Sequence, residues 1–216
     1  MSGAVKPTRR YDSSRRREQA DATRVEILRA AQRLFERDGF SATTMAAVAT
    51  EAGVAAKTVY IAFETKSGLL RALWHLLLRG DQDDVPMQER RWYLEILAEP
   101  DPGRQLRLMA LNSRVVKLRA GALLKVIRDA ASADADIAAL WSRIGSQFYD
   151  HQRGLVEVLH ERGHLRAGLD VAGATDRLWT LNHPDLWHLL VGQRGWTPEA
   201  YEQWCADAAC AQLLEP

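Results

Sequence analysis

One short segment of the chain contains three side chains that can bind DNA: Lys57, Thr58 and Tyr60. A lysine ammonium can donate hydrogen bonds to guanine acceptors in the major groove, and a threonine methyl can contact the methyl group of thymine. A tyrosine hydroxyl can donate to a phosphate, a contact that positions a protein without specifying sequence. Ala55 and Ala56 come directly before these residues, and their small side chains would allow close approach. The segment therefore has the chemistry of a DNA-contacting element.

The surrounding residues predict two short helices joined at a glycine. Thr44 offers a hydroxyl that can cap the first helix by accepting a backbone N–H, and apolar residues follow it at helical spacing. Gly53 stands where the chain must reverse, a position that favours positive φ. Val59 and Phe63 give the second helix an apolar face, which leaves its polar side chains on the other face. This pattern is typical of a helix-turn-helix, whose second helix enters the major groove. A tight helical hairpin without a DNA role is the alternative.

Two further positions are candidates for contacts with DNA phosphates. Thr44 lies at a helix start, where free N–H groups and the positive end of the helix dipole attract anions. Lys66 follows Thr65, the expected N-cap of the next helix, and adds a positive charge there. Tyr60 has an alternative role, because its ring could pack on the first helix instead of contacting DNA.

An amphipathic helix is predicted upstream, from Asp21 to Asp38, and Gly39 is placed to end it. With this helix included, one continuous stretch resembles the tetracycline-repressor (TetR) family of bacterial transcriptional regulators. The matching residues, Ile27 to Trp74, read ILRAAQRLFERDGFSATTMAAVATEAGVAAKTVYIAFETKSGLLRALW. The rest of the chain resembles the family only in its helical layout and in its closing stretch.

The resemblance implies a DNA-binding head, a ligand pocket among the middle helices, and a homodimer formed through the last two helices. One departure concerns the residues that follow Tyr60. Family members often carry an aromatic or basic residue there, whereas this chain has Ile61 and Ala62. The departure leaves fewer polar groups for reading bases, so operator recognition would depend on Lys57, Thr58 and backbone contacts.

Charge is distributed unevenly along the 216 residues. Residues 1–80 contain 14 Lys and Arg against 8 Asp and Glu, whereas residues 81–216 contain 15 against 20. A basic amino-terminal part suits phosphate neutralisation, and DNA would repel the acidic remainder. Residues 1–20 are rich in arginine and poor in apolar residues, which predicts a disordered basic arm. Such an arm could follow the minor groove or the phosphates, or it could be an idle solvated leader.

Several classes of protein are disfavoured by the sequence. No apolar run approaches the roughly 18 residues of a membrane span, and the charged amino terminus lacks an apolar signal segment, so we expect a cytoplasmic protein without membrane contact. Cys205 and Cys210 have a spacing that suits neither a local disulfide nor a shared metal. His183 and His188 do not share a helix face, which argues against zinc. Without a phosphate-binding glycine loop, a nucleophile elbow or a zinc-protease motif, we expect no enzymatic activity, cofactor or metal.

The chain after Gly80 predicts further helices and no strand, so the expected fold is all-α. A break is predicted at Gly121 and a kink at Asn182-His183-Pro184. The predicted helical segments are 86–98, 104–118, 122–131, 134–162, 171–193 and 197–214. The expected domains are a basic arm (1–20), a three-helix helix-turn-helix DNA-binding head (21–68), and a helical body for ligand binding and dimerisation (69–216).

Candidates for ligand contacts are aromatic or polar residues set within the apolar stripes of the middle helices. They are Trp92, Asn112, Trp141, Phe148 and His151. Each residue taken singly is better explained as part of the core than as a ligand contact. Together they predict an aromatic cavity for a small, largely apolar effector molecule.

The last two predicted helices carry more apolar residues than a terminal helix pair needs for itself. The residues concerned are Leu178, Trp179, Leu181, Leu186, Leu189, Leu190, Tyr201 and Trp204. Two chains could join these pairs in a four-helix bundle, and a two-fold dimer would read a palindromic operator in double-stranded DNA. We therefore expect a homodimeric, ligand-released repressor. The alternatives are a ligand-independent DNA-binding adaptor or nucleoid-associated protein, and a helical binding protein whose helix-turn-helix is incidental.

Overall fold

The computed structural model describes residues 10–79 and 89–215. The chain divides into two compact units, Met1–Leu73 and Trp74–Pro216. The described residues are helical and form no strand, apart from an isolated bridge between Leu165 and Leu214. The all-α prediction is confirmed.

The first unit contains three helices and the start of a fourth. They are α1 (Arg10–Ala42), α2 (Met45–Glu51), α3 (Ala56–Phe63) and α4 (Lys66–Arg79). The apolar stripe of α1 forms the centre of this unit, with Ile27 and Phe35 fully buried. Val48 of α2 and Val59 of α3 are also fully buried. The apolar residues whose helical spacing predicted these helices are therefore the residues that form their shared core.

Local signals that the sequence analysis used are present in this unit. The Thr44 hydroxyl accepts the Ala47 backbone N–H at 3.1 Å, as an N-cap does. Gly53 has φ of 66° at the reversal between α2 and α3. Gly39 has φ of 79° and interrupts the helical geometry of α1 near its carboxyl end. Both glycines adopt a backbone conformation that side chains rarely allow.

The helix α1 begins earlier than the sequence analysis predicted. Residues 10–20 were expected to be disordered, but they belong to α1; residues 1–9 lie outside the described residues. Arg, Glu, Gln and Ala are good helix formers and the segment contains no Gly or Pro. A polar stretch attached to a packed helix can therefore continue that helix without burying anything itself.

The second unit contains the remaining helices. They are α5 (Arg91–Ala98), α6 (Pro102–Ala130), α7 (Ala135–Glu161), α8 (Val171–Leu181), α9 (Pro184–Trp187), a π-helix (His188–Gln193) and α10 (Pro198–Leu213). Asp134 and Thr197 cap α7 and α10 with their side chains. The predicted kink is present, because α8 ends at Leu181 and α9 starts at Pro184.

One predicted break is absent. We expected Gly121 to end a helix, but α6 runs through it without interruption for 29 residues. A Cβ atom at Gly121 would lie 3.4 Å from the Trp187 indole nitrogen. Gly121 therefore faces Trp187 of α9 from within a continuous helix and does not form a turn.

Much of the apolar surface assigned to a dimer interface belongs to the core of one chain. Leu178, Leu181 and Tyr201 are at most 7% exposed and pack with α6, α7 and α10. The amphipathic pattern alone could not separate an intramolecular from an intermolecular apolar face. Leu189 and Trp196 remain 46% and 36% exposed. Cys205 and Cys210 are both free thiols.

Among the described residues, no single helix is long and apolar enough to cross a membrane. The helices α2 and α3 reach the length and apolar composition of a membrane span only when taken together, and the chain bends by 115° between them.

Candidate nucleic-acid interface and ligand cavity

The exposed face of α3 carries the residues predicted to contact DNA. Ala55, Ala56, Lys57, Thr58 and Tyr60 are all exposed. The 115° bend between α2 and α3 lies within the range of about 90–120° found in helix-turn-helix pairs. The Tyr60 side chain is 52% exposed, so its ring is not packed away against the first helix. These five side chains are free to meet a macromolecule.

Contacts inside the first unit hold α3 in place. Val59 and Phe63 are buried on its inner face. The Arg24 guanidinium lies 4.3 Å from the centre of the Phe63 ring and donates to the Ala62 carbonyl at 2.8 Å. Arg24 thus ties the carboxyl end of α3 to α1. No local sequence pattern indicates this role of Arg24, because its partners lie 38 and 39 positions further along the chain.

The two residues expected to contact phosphates differ in their surroundings. Thr44 is exposed at the start of α2, where its hydroxyl is used as the cap. The Lys66 ammonium donates to the Phe40 carbonyl at 2.7 Å and lies 4.3 Å from the centre of the Phe40 ring. Lys66 therefore caps a backbone carbonyl at the carboxyl end of α1. Its contribution at DNA would be a positive charge near the backbone more than a free hydrogen-bond donor.

The second unit encloses a cavity of about 120 Å³, far larger than the roughly 10–15 Å³ that one water needs. All five predicted ligand-contact residues line it: Trp92, Asn112, Trp141, Phe148 and His151. They come from α5, α6 and α7, so the fold brings together residues separated by up to 59 positions. Trp74 and Leu78 of α4 and Trp179 of α8 complete much of the apolar wall.

The polar groups in the cavity wall are mainly neutral. Burial lowers the pKa of His151, so its imidazole stays uncharged near neutral pH. Its Nε2 atom and the Trp179 Nε1 atom are buried and have no hydrogen-bond partner within the part of the chain that the structure describes. Burial raises the pKa of Tyr93, whose hydroxyl donates to the His151 carbonyl at 3.2 Å. The cavity thus offers aromatic surface with a few unsatisfied polar atoms nearby.

One side chain in the cavity wall can carry a positive charge: Lys117, a buried lysine that was not among the predicted ligand contacts. It lies on α6, lines the cavity and is 4% exposed. Its ammonium donates to Ser113 Oγ at 2.6 Å, to Asn182 Oδ1 at 2.9 Å and to the Tyr201 hydroxyl at 3.3 Å. Burial lowers the pKa of Lys117 to about 7. The signal in the sequence was its spacing, because Lys117 falls four residues after Ser113 on the buried face of α6.

Comparison with known proteins places the exposed helix pair in a family. Residues 27–73 match the family of bacterial regulatory proteins called the tetR family. The probable HTH-type transcriptional regulator ArpR of Pseudomonas putida is 28% identical over 163 residues, which cover 74% of this chain and 76% of ArpR. The family match over residues 27–73 and the similarity to ArpR support a TetR-family transcriptional regulator.

Solved structures share the fold of this regulator. NalD of Pseudomonas aeruginosa, described as the secondary repressor of a multidrug efflux pump, has a TM-score of 0.71 at 22% identity, covering 92% of this chain and 98% of NalD. SmeT of Stenotrophomonas maltophilia, in complex with triclosan, has a TM-score of 0.71 at 21% identity. That match covers 90% of this chain and 92% of SmeT.

No group of three or more His, Cys, Asp or Glu side chains that could hold a metal ion occurs among residues 10–79 and 89–215.

The cap at Thr44 gives a first test of the DNA-binding unit. Thr44→Ala removes the acceptor for the Ala47 N–H, and loss of such a cap costs about 1 kcal/mol. We expect the Ala47 amide to exchange with solvent about fivefold faster, as measured by hydrogen exchange of the whole protein. Thr44→Ser is the control, because it retains the hydroxyl. Unchanged exchange in Thr44→Ala would show that the hydroxyl does not stabilise the start of α2.

Proposed function

We propose that this regulator is a homodimeric repressor that occupies a palindromic DNA operator in the cytoplasm and is released by a small, largely apolar ligand. The observation that carries the proposal is an aromatic cavity in the second unit of a chain whose first unit presents an exposed recognition helix. In this proposal residues 21–68 bind DNA, and residues 69–216 bind the ligand and form the dimer.

The exposed face of α3 supports the DNA part of the proposal. Lys57 and Thr58 would meet base edges, and Tyr60 and Thr44 would meet phosphates. Ala55 and Ala56 would let α3 lie deep in the groove, and Lys66 would add positive charge. The excess of Lys and Arg over Asp and Glu in residues 1–80 would supply the long-range attraction to DNA.

Dimer formation is supported by large apolar side chains that stay exposed on the surface of a single chain. Leu189 of the π-helix and Trp196 before α10 are large apolar side chains that stay at the surface. A second chain would cover such residues in a two-fold interface. A dimer also supplies two recognition helices, which read two half-sites separated by about one helical turn of DNA or more.

The lining of the cavity supports an apolar effector. Trp92, Trp141 and Phe148 provide aromatic walls, while Asn112 and His151 provide polar groups for orientation. The related regulator SmeT is known in complex with triclosan, a chlorinated aromatic molecule. A ligand-independent adaptor would be expected to have a fully packed body, and the cavity argues against that alternative.

The helix α4 offers a route from ligand to DNA. It begins at Lys66, and its Trp74 and Leu78 line the cavity. Arg119 of α6 donates to the carbonyls of Leu77 and Leu78. A ligand that displaces Trp74 or Leu78 would shift α4 and with it the DNA-binding head. Release requires only that the ligand bind the released state more tightly than the DNA-bound state.

Gly145 of α7 gives a direct test, because it lines the cavity and a Cβ atom there would meet nothing within 4 Å. We expect Gly145→Leu to fill part of the cavity and to retain DNA binding. Triclosan should release the wild type from a selected operator duplex in fluorescence anisotropy, whereas Gly145→Leu should need at least about tenfold more.

The matched control is Gly145→Ala, which adds one methyl group and should respond like the wild type. Equal release of all three proteins would place the ligand elsewhere. Failure of triclosan to bind the wild type or to release it from DNA would contradict the apolar-ligand proposal.

A further inference from the structure

The cavity wall contains a buried lysine, Lys117, whose ammonium pairs with no carboxylate among the described residues. Lys117 Nζ is surrounded by Ser113, Asn182 and Tyr201, all of them neutral. Among the described residues, no carboxylate contributes to the shift in the pKa of Lys117. A buried ammonium with only neutral partners is costly, because hydrogen bonds replace part of its hydration but no opposite charge compensates it.

The neighbours of Lys117 are themselves committed to accepting its protons. The Ser113 hydroxyl donates to Asn182 Oδ1, and the Tyr201 hydroxyl donates to the Leu181 carbonyl at 2.9 Å. Each oxygen is therefore oriented with its lone pairs towards Nζ. This cluster comes from α6, the carboxyl end of α8 and α10. Because three helices supply these hydrogen bonds, the position of Lys117 Nζ is fixed by tertiary packing.

The cluster borders open volume. Ser113 and Lys117 both line the aromatic cavity of about 120 Å³, and Lys117 also lines a second, larger cavity of about 270 Å³. Leu124, Trp141 and Pro184 are shared by the two cavities. A molecule in the aromatic cavity therefore has the Lys117 side chain in its wall.

A second donor belongs to a side chain of the cavity wall. Trp179 lines the cavity, and its buried Nε1 atom has no hydrogen-bond partner among the described residues. The Trp179 ring is 4.7 Å from the His183 ring, centre to centre, and His183 follows directly after Asn182. An indole N–H can only donate, so its complement is an acceptor. A lysine ammonium and an indole N–H from two side chains that line the same aromatic cavity favour an anionic acceptor in the ligand.

Resting on the proposed function of the cavity, we propose that the effector is an aromatic or otherwise apolar molecule with one acidic group, which pairs with Lys117. The apolar body lies between the aromatic side chains, and the ionised acid replaces part of the neutral shell around Nζ. An acid is bound more tightly than a neutral molecule of the same shape because it supplies the missing charge.

The test compares 2-naphthoate with 2-naphthamide, which have the same ring system and differ in charge. In isothermal titration calorimetry of the whole protein at pH 7, we expect naphthoate to bind at least about tenfold more tightly. Lys117→Met should remove this preference. Lys125→Met is the matched control, since Lys125 is an exposed lysine on the same helix paired with Asp129, and it should keep the preference.

Proton uptake by the wild type provides a measurement that needs no variant. At pH 8 the amine of Lys117 is mostly neutral, and pairing with a carboxylate should draw about one proton from the buffer. Among the described residues, His183, Cys205 and Tyr201 are the titratable groups that interact with Lys117, and Lys125, Arg128, Asp185 and His188 line the second cavity with it. Burial lowers the pKa of His183 and raises those of Cys205 and Tyr201, so all three stay neutral at pH 8. Titrations in buffers of different ionisation enthalpy should show uptake with naphthoate and none with naphthamide.

Three results would overturn the acid proposal: equal affinity for the two compounds, a preference that survives in Lys117→Met, or absence of binding by both. If triclosan still releases the wild type from DNA in that case, the proposed function stands and only recognition of an acid fails. If triclosan also neither binds nor releases DNA, both proposals fail.

Discussion

Replacing Lys57 by alanine together with Tyr60 by phenylalanine is expected to weaken binding to a selected operator by at least about thirtyfold. A good contact between a side chain and a base edge is worth about 1–3 kcal/mol, and a two-fold dimer would lose each contact twice. Both residues are exposed on α3, so the substitutions should leave folding nearly unchanged. Fluorescence anisotropy with the operator duplex and a scrambled duplex of equal length measures the loss of specificity.

The control for charge is Arg153→Ala. Arg153 is an exposed arginine of α7 paired with Glu157, and its removal lowers the net charge by the same amount. This variant should bind the operator as the wild type does. Loss of affinity in both variants would mean that net charge, and not the face of α3, governs binding. Full affinity in the α3 variant would contradict the assigned contacts.

The second large effect concerns stability and pH. Lys117 has a folded-state pKa of about 7, below the ordinary value of 10.5. Between these values the unfolded chain binds more protons than the folded chain, so the free energy of unfolding rises with pH. From pH 7 to pH 9 we expect an increase of about 2 kcal/mol from this residue. Above that range the raised pKa of Cys205 opposes the trend.

Urea unfolding followed by tryptophan fluorescence measures this effect in the second unit, because all 7 tryptophans lie within Trp74–Pro216. We expect Lys117→Met to be more stable than the wild type at pH 7 and to lose the rise between pH 7 and pH 9. Lys125→Met should keep the rise. A wild type whose stability is flat over this range would show that Lys117 is hydrated or paired, contrary to the structure.

Local chemistry explains which parts of the fold could be predicted from the sequence. The cap at Thr44, the positive φ of Gly53 and the proline-led start of α10 depend on residues within a few positions of one another. The helical stripes of α1 and α7 are equally local. The aromatic candidates for the cavity could be named because each interrupts or enlarges an apolar stripe of its own helix.

The remaining features depend on partners distant in sequence. Gly121 resembles a helix break until Trp187 is seen to pack against it. Leu178 and Tyr201 resemble interface residues until α8 and α10 are seen to pack against each other and α10 against α6. Lys117 resembles a surface lysine, and its role depends on Asn182 and Tyr201, which lie 65 and 84 positions further along the chain. Such contacts arise from tertiary packing, which periodicity alone does not encode.

Selection of bound sequences from a random duplex library tests the central claim most directly. The experiment uses the whole protein at about 150 mM salt, near physiological ionic strength, where weak non-specific binding is suppressed. We predict a single palindromic motif with half-sites about 34 Å or more apart, recovered by the wild type and by Arg153→Ala but not by Lys57→Ala/Tyr60→Phe. Recovery of no motif, or of the same motif by the α3 variant, would contradict the account of this chain as a dimeric regulator that reads DNA through α3.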